Sequence, residues 1–407
     1  MTAGSAKAMA FLFEGGRDLA QGPVQPVFVH SSWRTGSTWL WEKLRQAPTT
    51  IAYCEVFHER LIHCAIPELR DNDFGEWNSK HPEGAPYFLE FTPLIGKDGA
   101  VQGYAPGMAV EDFMPEGGVG GALGVAETTY LDGLIANALF RRRIPVLTDT
   151  RTLGRFGAIA RACPGRQILL VRNIFHQWAS YSEQWAGGNP YFFDMQWRTI
   201  EAARRDPFVA LLAEWFDRGE KSPASAPAFQ LFLLFHLYLY ARAYDSADLV
   251  VDLNAIAADP DARAAAEAAL SDCVRSPVDL SDARPAFGLS LFTTPSKTVF
   301  VDVIDQFTKQ AVDGSVSVEA ADFAMRLKDE ALLEWERAEF YGGSLRVWSA
   351  KRFAEAPQAQ RPSGKGAALA RADAKAVLLE KPVEKLKKAP PAKPAPRIGG
   401  KKRGRRR

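Results

Sequence analysis

Small polar residues surround one arginine near the start of the sequence, and their types could bind an anion. The segment 31–38 reads Ser-Ser-Trp-Arg-Thr-Gly-Ser-Thr and places Arg34 beside glycine, serine and threonine. Backbone N–H groups at a helix N-terminus, together with the positive end of the helix dipole, bind phosphate, and a guanidinium adds a forked donor. The candidate ligands are six consecutive residues: Arg34, Thr35, Gly36, Ser37, Thr38 and Trp39.

The same segment differs from the loop that binds ATP or GTP. That loop has the pattern G-x-x-x-x-G-K-[ST], and an alignment on Gly36 would need glycine in place of Ser31 and lysine in place of Ser37. The lysine normally reaches the β- and γ-phosphates, so its absence disfavours a triphosphate. A less charged, diester-like anion held by the backbone, the hydroxyls and Arg34 fits the segment better.

A strand and a helix are predicted to hold this segment between them. The apolar run Val27–Val29 after Pro26 predicts a buried strand. Thr38 begins a helical pattern in which Leu40 and Leu44 lie one turn apart. A strand that leads through a short polar turn into a helix is the arrangement that an anion-binding loop requires.

This segment and a second one further along the chain resemble the donor-binding motifs of sulfotransferases that use 3′-phosphoadenosine-5′-phosphosulfate (PAPS), of the bacterial and carbohydrate type. The pattern R-[ST]-G-[ST]-T after a strand resembles their 5′-phosphosulfate loop. In that family an arginine at a strand end and a serine eight residues later bind the 3′-phosphate. Arg172 and Ser180 have this spacing after the apolar run Ile168–Val171, although Asn173 and Ile174 replace the usual aspartate and proline.

The resemblance covers roughly residues 24–185 and implies a PAPS-dependent sulfotransferase that needs no metal. It implies that the first segment binds the 5′-phosphosulfate, with Arg34 also stabilising charge on the leaving phosphate, and that Arg172 and Ser180 bind the 3′-phosphate. It further implies a three-layer, P-loop-like α/β fold in which helices flank a mostly parallel central sheet.

A group of acidic and histidine residues follows the next predicted strand. Glu55 comes after the short apolar stretch Thr50–Tyr53, and His58 and Glu59 lie one turn further on. Since ligands gather at the carboxyl ends of parallel strands, this group is expected to face the same crevice as the anion-binding segment. The family resemblance implies that Glu55 is the catalytic base, and His58 and Glu59 are its alternatives.

The remaining sequence divides into a core and less regular parts. We expect an N-terminal extension over 1–21, a nucleotide-binding domain over 22–352 and a disordered tail over 353–407. Within the domain, the Gly- and Pro-rich stretch 71–123 is expected to form a loop-rich insertion that binds the acceptor. A segment that folds over the nucleotide in the family has one weak candidate here, Thr294–Lys297.

Charge is distributed unevenly along the chain. Residues 381–407 contain twelve Lys or Arg and one Glu, a net charge of +11, so the other residues carry −9 of the overall +2. The acidic body disfavours a specific nucleic-acid surface, and the tail is expected to contact an anionic membrane surface or another polyanion, or no specific partner.

Cysteine usage and hydropathy favour a reducing compartment. The four cysteines have no C-x-x-C spacing, and neither a disulfide framework nor a metal site is expected. Residues 1–20 do not resemble a signal peptide, and the apolar stretch Phe229–Tyr240 is too short to span a bilayer, so a cytoplasmic location is expected.

Three functions therefore follow from the sequence. The favoured one is sulfuryl transfer from PAPS to a hydroxyl of an unidentified acceptor, a carbohydrate or lipid-linked sugar being favoured. The second is an ATP-dependent small-molecule kinase, which the missing lysine and glycine disfavour. The third is a non-catalytic nucleotide-fold protein that binds polyanions through its basic tail.

Overall fold

The computed structural model describes residues 24–64, 69, 86–216 and 221–355. The expected extension 1–21, residues 71–85 of the expected insertion and the tail from residue 356 onward lie outside the described residues. The chain forms two units, Met1–Val347 and Trp348–Arg407, and the fold below is that of the first.

In the part of the chain that the structure describes, five strands form one sheet. In chain order they are β1 (Val27–His30), β2 (Thr50–Cys54), β3 (Ile144–Asp149), β4 (Arg166–Val171) and β5 (Leu249–Asp252). Their spatial order is β2-β3-β1-β4-β5, and every neighbouring pair is parallel. The predicted α/β class with a parallel central sheet is therefore confirmed.

Helices connect and cover the strands, with short 3₁₀ turns such as Glu59–Ile62 and Leu153–Arg155 between them. They are α1 (Ser37–Arg45), α2 (Val125–Phe140), α3 (Phe156–Ala162), α4 (Ile174–Ala186), α5 (Tyr191–Ala202), α6 (Pro207–Phe216), α7 (Ala226–Tyr244), α8 (Leu253–Ala258), α9 (Pro260–Val274), α10 (Lys297–Val312) and α11 (Val318–Glu355).

The sheet lies between two apolar cores, because successive side chains of a strand point to opposite faces. Ile168 and Leu170 of β4 belong to a core that also contains residues of α1, α2 and α9. Leu169 and Val171 belong to the other core, with residues of α4 and α7. Helices on both faces of the sheet give the three predicted layers.

The most apolar helix is buried in the second core. Every residue from Ala228 to Ala241 of α7 is buried, including Gln230 and His236. This explains why the helix is apolar all round. None of the helices in the described part of the chain is long and apolar enough to cross a membrane.

The strand register brings the sequence-predicted residues to one edge of the sheet. His30 at the end of β1 pairs with Asp149 of β3, and Cys54 at the end of β2 pairs with Thr148. The carboxyl ends of β1, β2 and β3 are therefore level. The segments that follow them contain the candidate anion-binding residues, Glu55 and Arg151.

Candidate active site

The segment after β1 forms a tight loop that opens α1. Gly36 caps the helix at φ 86°, and a Cβ atom at this position would lie 2.6 Å from Cδ2 of Leu253. Only glycine therefore fits without strain. The first intrahelical hydrogen bond runs from Leu40 N–H to the Gly36 carbonyl at 3.0 Å. The N–H groups of the residues before Leu40 therefore stand at the helix N-terminus, the position at which backbone N–H groups bind anions.

The side chains of this loop have different partners. The Thr35 hydroxyl is buried and donates to the Ser32 carbonyl at 2.7 Å, which shapes the loop. The Thr38 hydroxyl contacts the Tyr87 hydroxyl, and Ser37 is buried at the helix start. The Trp39 indole N–H donates to Asp282 at 3.1 Å, so its side chain is bound to a surface carboxylate.

The two sequence motifs meet at Arg34. Arg34 Nε donates to Ser180 Oγ on α4 at 2.9 Å, and Arg172 Nη1 donates to the Arg34 carbonyl oxygen at 2.8 Å. The Arg34 guanidinium also lies 5.0 Å from the centre of the Phe192 ring. The structure therefore brings Arg34, Arg172 and Ser180 together, although 138 residues separate the two arginines in sequence.

The two arginines concentrate positive charge. Among the residues that the structure describes, no carboxylate lies within 4.0 Å of either guanidinium. Burial, and after it the charge of Arg34, together lower the pKa of Arg172 to about 10. Burial likewise lowers the pKa of Arg34. Both groups are cationic at neutral pH. Glu183, which lines the adjoining cleft, acts on Arg34 only from beyond ion-pair distance, so an anion bound between the two arginines would gain from both charges.

A cleft of about 490 Å³ adjoins these residues. Arg172, His176 and Ser180 line one side, and the apolar residues of segment 287–291 line the other. Phe287 is 92 % exposed although it borders this cleft. The sequence pointed instead to Thr294–Lys297 as the covering segment, but in the structure Ser296 caps α10 and Lys297 pairs with Glu336 at 2.7 Å.

Glu55 forms a buried ion pair with Arg151. Glu55 comes directly after β2 and has a backbone φ of 46°. Nη1 of Arg151 donates a hydrogen bond to Oε2 of Glu55 at 2.8 Å. Nη2 of the same guanidinium donates to Oε2 of Glu59 at 2.8 Å, and Tyr191 donates to the other Glu59 oxygen at 2.6 Å. Arg151 is 0 % exposed. One buried cation therefore joins two of the three candidate bases.

Asp149 contacts Arg151 through the backbone and not through the guanidinium. Its carboxylate accepts the backbone N–H groups of Arg151 and of Phe57, the latter at 2.7 Å. Burial raises the pKa of Asp149 to about 6, although the charge of Arg151 opposes the shift. Asp149 thus ties the segment after β2 to the segment after β3.

His58 faces the same carboxylates. Its Nδ1 accepts the Arg60 backbone N–H at 3.1 Å, which leaves the proton on Nε2, 3.6 Å from Oε2 of Glu55. Burial and then the charge of Arg151 lower the pKa of His58. The ring is therefore neutral at pH 7 and directs an N–H toward Glu55. Glu59 differs, because Arg151 overcomes the effect of burial and lowers its pKa below the usual range.

The loop after β1 and the carboxylates adjoin through Trp33. The ring of Trp33, next to Arg34 in the loop, lies 5.3 Å from the Arg151 guanidinium. His236 of α7 forms a hydrogen bond with the loop, since its Nε2 lies 2.8 Å from Ser32 Oγ. Among the described residues, no group of three or more His, Cys, Asp or Glu side chains is arranged to hold a metal ion.

Comparisons with known proteins found one distant similarity. No protein-family profile matches the chain, and no curated protein matches it. The sulfotransferase domain from the Synechococcus PCC 7002 olefin synthase aligns with a TM-score of 0.28 and 13 % identity, over 74 % of this chain and 94 % of that domain.

Proposed function

We propose that this chain is a sulfotransferase that transfers the sulfuryl group of PAPS to a hydroxyl. The observation that carries the proposal is the meeting of Arg34 and Arg172, two half-buried cations with no carboxylate of the described residues within 4.0 Å, beside a helix N-terminus. Buried charges normally have counter-ions, so this pair favours a ligand with more than one negative group.

The residues present fit such a donor. The loop N–H groups and Arg34 would hold the 5′-phosphosulfate, and Arg172 with Ser180 would hold the 3′-phosphate. The apolar segment 287–291 would contact the nucleoside across the cleft. When bound, PAPS supplies a sulfuryl group on a phosphate leaving group.

The protein residues would assist an in-line displacement. A bond forms between the acceptor oxygen and sulfur, the bond from sulfur to the 5′-phosphate oxygen breaks, and adenosine 3′,5′-bisphosphate leaves. Arg34 and the loop N–H groups would stabilise the charge that develops on the leaving oxygen. Glu55 would accept the acceptor proton, with Arg151 and His58 fixing the orientation of its carboxylate.

For the acceptor we propose a carbohydrate or lipid-linked sugar. Tyr191 supports this choice, since its half-buried ring lies beside the carboxylates and its hydroxyl already bonds Glu59. Aromatic rings offer a sugar an apolar face as well as a polar handle.

An ATP-dependent kinase is the competing enzyme. Ser37 occupies the position where a kinase loop has its lysine, and segment 31–38 contains no lysine at another position. The observed pair of arginines favours two separated anionic groups over one triphosphate.

The first test is calorimetric titration of the purified full chain with adenosine 3′,5′-bisphosphate, 5′-AMP and ATP. We expect the bisphosphate to bind at least tenfold more tightly than 5′-AMP, because a charged hydrogen bond to Arg172 is lost without the 3′-phosphate. Arg172→Ala should remove this preference, whereas Arg198→Ala, on the exposed face of α5, should not. Equal or tighter binding of ATP would refute the proposal.

The second test concerns the acceptor. Release of adenosine 3′,5′-bisphosphate from PAPS is measured against a panel of sugars and glycolipids, with wild type and Glu55→Gln. The amide keeps the shape of the carboxylate but cannot accept the proton, so turnover should fall at least a hundredfold while bisphosphate affinity is unchanged. Full turnover by Glu55→Gln would exclude Glu55 as the base.

A further inference from the structure

The contacts around Arg34 connect the two phosphate-binding motifs directly. Ser180 accepts a hydrogen bond from the Arg34 side chain at 2.9 Å, and Arg172 donates one to the Arg34 backbone carbonyl at 2.8 Å. One residue of the second motif therefore holds the side chain of Arg34, and the other holds its backbone.

Arg34 needs such support because its backbone conformation is unusual. Its φ of 64° lies in the left-handed region, which long side chains rarely adopt. The next residue but one, Gly36, is also left-handed, so the loop turns sharply at both positions. A loop of this shape is populated only when contacts outside it hold it in place.

The same contacts counter a repulsion. The charge of Arg34 is one of the causes that lower the pKa of Arg172, so the two guanidiniums disfavour each other. The Ser180 hydroxyl, the Arg34 carbonyl and the Phe192 ring are neutral groups that keep the two cations in one corner. The corner is thus already arranged for an anion.

We propose that Arg172 and Ser180 are positioning residues for Arg34, in addition to any contact with a 3′-phosphate. They set the geometry of the 5′-phosphosulfate loop, so their loss weakens binding even of a nucleotide that has no 3′-phosphate. This inference rests on the proposed function, because it assumes that the loop binds the 5′ end of the donor.

Adenosine 5′-phosphosulfate, which lacks the 3′-phosphate, is the probe that separates the two roles. Calorimetry with Ser180→Ala should show about a tenfold loss of affinity for this probe, the effect of one lost hydrogen bond to a charged group. Ser180→Thr keeps a hydroxyl and should restore most of the affinity. Thr199→Ala on α5 is the control, because that buried hydroxyl also donates to a backbone carbonyl, that of Met195, and Thr199 is not among the residues that line the cleft.

A double-mutant cycle tests whether the effect passes through Arg34. In the Arg34→Ala background, Ser180→Ala should cause no further loss for the same probe, since the residue it positions is gone. Circular dichroism of each variant checks that the fold is intact, and Ser180→Thr keeps the test decisive if Ser180→Ala does not fold.

Two results would overturn the inference, and they are distinguishable. If Ser180→Ala weakens adenosine 3′,5′-bisphosphate but leaves adenosine 5′-phosphosulfate unchanged, Ser180 is only a 3′-phosphate ligand and the positioning role is wrong. If wild type binds neither nucleotide, the proposed function itself is wrong, and this inference is overturned with it.

Discussion

Replacement of Arg151 by methionine should destabilise the fold strongly and in a pH-dependent way. The Arg151 guanidinium is fully buried and joins Glu55 and Glu59 at 2.8 Å each. Methionine fills much of the same space without a charge. The substitution therefore leaves the carboxylate of Glu55, only 9 % exposed as a residue, without its cation.

The two ion pairs contribute unequally to the expected loss. Removing one partner of a buried pair costs about 3–5 kcal/mol, and the pair with Glu55 is buried on both sides. The Glu59 side chain is 39 % exposed, so solvent screening limits the loss of its pair to about 1 kcal/mol or less. The free energy of unfolding should thus fall by about 3–5 kcal/mol at pH 7.5, almost all of it through Glu55.

Acidification should reduce the difference in the free energy of unfolding between the wild type and Arg151→Met. Arg151 lowers the pKa of Glu59, so the stabilisation from this pair is lost only as pH falls from the unfolded pKa of 4.5 through the lower folded pKa, and it is present at both pH 7.5 and pH 5. In the variant, the unpaired Glu55 binds a proton more readily in the folded state, which relieves the penalty at low pH. The difference between the two proteins should therefore be smaller at pH 5 than at pH 7.5.

Urea unfolding followed by tryptophan fluorescence at both pH values measures the effect. Arg198→Met is the matched control, because the Arg198–Glu111 pair is exposed on both sides and its loss should change stability by less than about 0.5 kcal/mol. Adding Glu55→Gln to Arg151→Met should recover part of the loss. A loss below about 1 kcal/mol, or one that is equal at the two pH values, would refute the reasoning.

Three further outcomes are expected. Gly36→Ala should lower stability by about 1–2 kcal/mol in urea unfolding and weaken bisphosphate binding, because alanine is strained at a positive φ and would contact Leu253; unchanged affinity would argue against the loop as the anion site. Gly288→Ala should raise the bisphosphate Kd severalfold in calorimetry, since a Cβ there would clash with Ala179 and displace the segment that lines the cleft, and an unaltered Kd would separate that segment from the nucleotide. Deletion of 381–407, which removes a net charge of +11, should abolish co-sedimentation with anionic phospholipid vesicles but leave bisphosphate affinity unchanged; a loss of both would favour the non-catalytic alternative.

Local patterns in the sequence were sufficient to predict the strands β1 and β4 and the loop that follows β1. The apolar run before residue 31 is β1, and the polar residues that follow lead into α1 at Ser37, one residue before the predicted start. The strand before Arg172 also forms as predicted, and it leads into α4, which carries Ser180. These features depend on side-chain periodicity and on glycine conformation, which act over a few residues and can therefore be read from neighbouring positions.

The tertiary structure alone decided which distant residues share a contact. Arg151 reaches Glu55 across 96 positions of sequence, and no spacing rule predicts that pair, because it depends on β2 and β3 being neighbours in the sheet. The contact between Ser180 and Arg34 likewise depends on β4 lying beside β1. Sequence determined which groups stand at the ends of the strands, and strand order determined which of those groups meet, since side-chain interactions act through space and over a few ångströms.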